Sequence, residues 1–123
     1  MAIGLCLSAV GVWVALGAHV TLSWTHSIQK SPRLETYDAQ YGQMVLTEAR
    51  ISDTGAGMEP PDNATFDGHV WIYHPNRGVS EVRLQHSPYV TPYTVCTDTG
   101  CKPLPDWLPL QATDTAVLKT CPK

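Results

Sequence analysis

In Val20-Thr21-Leu22-Ser23-Trp24-Thr25 an apolar residue alternates with a small polar one at every step. A segment with that period can bury one face only as a strand. The rest of the chain reads the same way. Leu5-Cys6-Leu7-Ser8-Ala9-Val10 and Val12-Trp13-Val14-Ala15-Leu16 flank Gly11 as two strands around a tight turn. Met44-Val45-Leu46-Thr47-Glu48-Ala49-Arg50-Ile51 mixes helix-favouring residues with a strand's length, and the length assigns it to a strand. Gly68 to His74 and Val79 to His86 read as two strands around the turn Pro75-Asn76-Arg77-Gly78, and further strands cover Tyr93 to Cys96 and Ala116 to Leu118. Ten prolines and nine glycines punctuate these runs. The expected fold is all-β, a small antiparallel sandwich or partly closed barrel of about eight or nine short strands. One domain over residues 3–121 accommodates them, with Leu22, Trp24, Trp71 and Leu84 in the inward phase of one core.

Charge excludes two classes of partner. A formal net charge of -3, with eight basic residues scattered along the chain, provides neither the positive field that nucleic acid needs nor a polybasic run for an anionic membrane. The apolar stretch Ile3 to Leu16 has no Lys or Arg before it, as a secretory leader requires, and falls short of a membrane span. Direct membrane insertion is not expected. On this reading the cytoplasm is favoured as the compartment, with the periplasm as the alternative.

The chain has four cysteines. Cys96-Thr97-Asp98-Thr99-Gly100-Cys101 reads as strand, polar turn and returning strand, a hairpin that brings the two sulfurs within bridging range. Cys6 and Cys121 can pair only if the terminal strands are neighbours. A zinc site needs a second short Cys or His pair, which the sequence lacks, so no metal and no cofactor is expected.

Candidate ligand-binding residues are His26, Ser27, Glu35, Gly55 and Gly57. His26, Ser27 and Glu35 are of the types that form a nucleophile, base and orienter set. Adjacent strand residues face opposite ways, however, so His26 and Ser27 cannot share a pocket without a bulge. Gly55-Ala56-Gly57 can form either a plain turn or a concave nest of N–H groups for an anion. A small carboxylate is the natural ligand, held by glycine N–H groups and a protonated His26, and all five residues are expected to lie together in the fold.

Leu22-Ser23-Trp24-Thr25-His26-Ser27-Ile28 followed by Glu35, then Gly55-Ala56-Gly57-Met58-Glu59-Pro60-Pro61, then Ser87 with Cys96, then Cys101-Lys102-Pro103-Leu104 together resemble the bacterial domain-of-unknown-function family 1850. The resemblance runs from Leu5 to Cys121. It implies a small domain without established activity, often encoded beside the membrane subunits and TAXI-type binding proteins of TRAP solute transporters. Gln29-Lys30 and Leu34-Glu35 depart from the family's acidic and aromatic pattern. The leading expectation is a non-enzymatic accessory, an interaction or ligand-binding domain whose partner is a membrane transporter subunit or a small carboxylate. The alternatives are a small hydrolase or isomerase using His26 and Glu35, and a purely structural subunit recognisable by an exposed apolar patch or a free strand edge.

Overall fold

The computed structural model describes residues 3–25, 32–51, 64–66, 68, 70–87, 92–111 and 113–122. Their order is β1 (Ile3–Ala9), β2 (Val12–Gly17), β3 (His19–Thr25), β4 (Pro32–Gln40), β5 (Gln43–Ile51), β6 (Thr65–Phe66), β7 (Trp71–Tyr73), β8 (Arg77–Val79), β9 (Val82–Gln85), β10 (Thr94–Thr97), β11 (Gly100–Pro103), α1 (Leu104–Trp107) and β12 (Thr115–Pro122). Two antiparallel sheets form a β sandwich. The smaller runs β2-β1-β12-β9; the larger runs β11-β10-β3-β4-β5-β7-β6, with β8 pairing the other end of β5.

The apolar phase of each strand meets its counterpart between the sheets. Leu5, Leu7, Leu84, Ala116 and Leu118 from the small sheet pack with Val20, Leu22, Tyr37, Met44, Leu46 and Val95 from the large one. Trp24 packs against this cluster. Trp71 does not join it. The inward phase assigned to Trp71 is right, since it pairs with the buried Ile51. At that margin of the sheet, though, its partner is a half-exposed Phe66 ring at 4.9 Å.

The apolar stretch from Ile3 is two strands. Val10 and Gly11 join them at positive φ (49° and 78°), the mirror-image turn whose twist suits a two-residue hairpin. A β-branched residue pays for that conformation in steric strain, whereas asparagine enters it readily. Val10→Asn should therefore raise the stability by about 1 kcal/mol, read as a higher urea midpoint. An unchanged or lower midpoint would mean that Val10 is held by contacts worth more than its strain.

The terminal strands are neighbours, pairing Gly4 with Cys121 and Cys6 with Lys119. Cys6 and Cys121 are bridged across them, Cα atoms 6.0 Å apart. Cys96 and Cys101 lie directly opposite in the β10–β11 hairpin and are bridged at a Cα separation of 4.0 Å, as their spacing predicts.

The expected hairpin around Pro75-Asn76-Arg77-Gly78 does not form. β7 and β8 both pair with β5, at Ala49 to Ile51 and at Met44 to Leu46, and β9 crosses to the small sheet beside β12. β4, absent from the sequence reading, lies at the centre of the large sheet. The stretch around Trp107 is the short helix α1, anchored by buried Leu104 and followed by buried Leu108.

Candidate functional site

Residues directly opposite in antiparallel strands share a face. Leu22 is opposite Glu35, Glu35 is opposite Ala49, and Ala49 is opposite Tyr73. Leu22 is fully buried in the core, so the Glu35 carboxylate stands on the inner face of the large sheet. Two residues further along, on the same face, Trp24, Arg33 and Ile51 form the next row. These strands thus bring a carboxylate, a guanidinium and aromatic rings to one end of the sandwich interior.

A β-bulge makes this placement possible. Thr36 is opposite Glu48 and Tyr37 opposite Leu46, which leaves Thr47 as an extra residue. The extra residue switches the phase of β5, so that Met44 and Leu46 face inward on one side of it and Ala49 and Ile51 on the other. Thr47 itself donates from Oγ1 to the Asp38 carboxylate at 2.9 Å and to the Thr36 carbonyl at 3.3 Å. The same Asp38 holds His19 Nδ1.

Within the site the Tyr37 hydroxyl donates to Glu35 Oε1 at 2.8 Å. Trp24 and Tyr93 stack at a tilt, centroids 5.6 Å apart. Burial and then the Glu35 charge push the Tyr37 phenol well above its ordinary value near 10, with the hydrogen bond to Glu35 acting the same way. Tyr93 is raised by the same two causes in the same order. A raised folded value means that the native state keeps protons the unfolded chain has lost. The associated stability is intact below about pH 10 and declines as pH climbs past it. Thermal melts from pH 8 to pH 11 should fall steeply at the alkaline end, by less in Tyr37→Phe, and parallel curves would show that Tyr37 is not the coupled group.

Trp24, Arg33, Glu35, Ala49, Ile51 and Tyr73 line a cleft of about 20 Å³, room for little more than a single water. A shallower depression of about 410 Å³ over Gln43, Met44, Val79 and Thr120 is lined by no ionisable group among the described residues.

Of the residues named from sequence, Glu35 is in this cluster. His26, Ser27, Gly55 and Gly57 lie outside the described residues. The strands on which those segments border do end side by side: Thr25 is opposite Pro32, and Arg33 is opposite Ile51. Sequence reasoning missed Arg33, Tyr37 and Tyr73 as members of the cluster. The signal available was the alternation Arg33, Glu35, Tyr37 along β4, which carries polar groups on the inward phase and so does not read as a buried strand.

No curated protein and no solved structure matches the chain. The family pattern described as Domain of unknown function (DUF1850) matches residues 20–104, from the second residue of β3 to the start of α1. That span contains Trp24, Glu35, Tyr37, Tyr73 and Tyr93, and with it most of the sequence; the chain belongs to the DUF1850 family.

Proposed function

We propose that residues 3–121 act as one non-enzymatic binding domain, an accessory that meets a ligand or partner segment at the Glu35 end of the sandwich and works beside a TRAP-type solute transporter. The observation that carries this reading is the Glu35 carboxylate on an inner sheet face, with Tyr37 donating to it and Trp24 and Tyr93 beside it. Placing a charge there costs desolvation and does nothing for packing. The cleft volume supports binding at a rim over catalysis. Among the described residues the cleft holds about 20 Å³, against the roughly 300 Å³ or more that encloses a small substrate.

A small carboxylate remains the proposed ligand. His26, Ser27, Gly55 and Gly57 are its proposed donors, Arg33 adds positive charge at the Glu35 end of the sandwich, and Glu35 opposes it and so limits affinity. The two bridges support the periplasmic alternative over the cytoplasm, because cytosolic thiols are kept reduced.

Heteronuclear NMR titration with succinate tests the site. The expected result is shifts at the Trp24 indole and at the amides of Glu35 and Ala49, enlarged in Glu35→Gln, where the opposing charge is gone. Shifts confined to other surfaces, or none, reject the carboxylate. Co-purification with the transporter's membrane subunits tests the partner separately.

A further inference from the structure

The outward face of the small sheet carries a second feature. Trp13 is 64% exposed on that face; Val10 in the turn is 57% exposed, and Val12, on the opposite phase facing Ala9, is 44% exposed. Trp13 borders an apolar groove of about 350 Å³ whose other walls are Cys6, Ser8, Lys119, Cys121 and Pro122. β2 is the last strand of its sheet and pairs only with β1 among the described strands. Free edges are ordinarily blunted by brevity, proline or charge. The other edges comply: β6 has two residues, β11 ends in Pro103 and carries Lys102, and β9 carries Arg83 paired with Glu81. β2 has six residues, none charged and none proline.

We propose that the chain associates with a second copy of itself through β2, the two strands pairing antiparallel so that the Trp13 indole of each copy fills the groove beside the other copy's Cys6–Cys121 bridge. A second copy is the occupant because β2 is its own complement. An uncharged edge meets its twin without like-charge repulsion, and antiparallel pairing lets each strand supply the other's backbone donors and acceptors. A buried aromatic removes about 150 to 250 Å² from water. Two reciprocal tryptophans with their flanking valines and six-residue strands approach the low end of the roughly 1,200 Å² of a specific interface. The association is therefore weak and concentration-dependent. The strained, exposed Val10 at the hairpin tip extends the same patch.

Sedimentation velocity of the oxidised chain over a wide concentration series reads the association. The weight-average mass should rise about twofold for the parent chain. Trp13→Lys and, independently, Ala15→Lys, at the exposed position opposite Cys6 on the same face, should abolish the rise while circular dichroism and melting temperature hold steady. Tyr41→Lys, on a fully exposed turn residue of the large sheet, should leave it intact. A parent chain that stays monomeric at the highest concentration overturns the proposal, as does a dimer that survives both β2 variants. So does a monomer that floats with phosphatidylglycerol vesicles in a Trp13-dependent way, which would assign the patch to a lipid surface.

Discussion

Replacing Cys6 and Cys121 together by alanine should cost far more stability than the same change at Cys96 and Cys101. The first bridge closes 115 residues and the second five. In the chain-entropy account those loops correspond to about 4.8 and about 2 kcal/mol. The terminal bridge also sits where fraying is easiest. β1 and β12 pair only because the two ends of the chain meet, and they supply Leu5, Leu7, Ala116 and Leu118 to the core, so freeing the termini exposes one whole wall of the sandwich. The Cys96–Cys101 hairpin keeps its register through a local turn and through the pairing of β10 with β3. Alanine is the right replacement at the buried Cys6, since serine would bury an unpaired hydroxyl. Guanidinium titrations of the two double variants settle the order. A larger loss for the hairpin pair would mean that the small sheet holds together without its staple.

Where side-chain phase followed the simple period, the strands were legible. Val20 to Thr25 alternates without interruption, the hairpin around Gly11 shows as two short apolar runs on either side of a turn glycine, and both are strands in the structure. Met44 to Ile51 looked half helical because Leu46, Glu48, Ala49 and Arg50 favour helix, and the bulge at Thr47 interrupts the period of two that would have marked the strand. β4 escaped because its inward residues are Arg33, Glu35 and Tyr37. The polar cluster that defines the candidate site is what disguised the strand that carries it. The hairpin around Asn76 failed on tertiary grounds: a turn signal fixes the local bend and not the partner, and both arms found better-buried neighbours, β5 and β12. The pairing of Cys6 with Cys121 rested on knowing that the termini meet, which spacing alone does not contain.

Leu22→Ala should lower the unfolding free energy by about 2 to 5 kcal/mol, the range for a leucine whose cavity cannot collapse. Leu22 has no exposed surface, and its backbone is fixed on both sides, by Val95 of β10 and by Glu35 of β4. Neither neighbour can move inward without breaking a ladder, so the void stays open and the upper half of the range applies. The loss should also reach the site, because a void beside Glu35 frees its side chain and weakens the hydrogen bond from Tyr37. Trp71→Ala supplies the contrast. It removes a larger side chain, but one that is partly exposed and stacked on a half-exposed Phe66, so its cost should be smaller, about 1 to 2 kcal/mol. Urea titrations of the two variants compare them directly. If Trp71→Ala were the more damaging, the margin of the large sheet at Trp71 would be core.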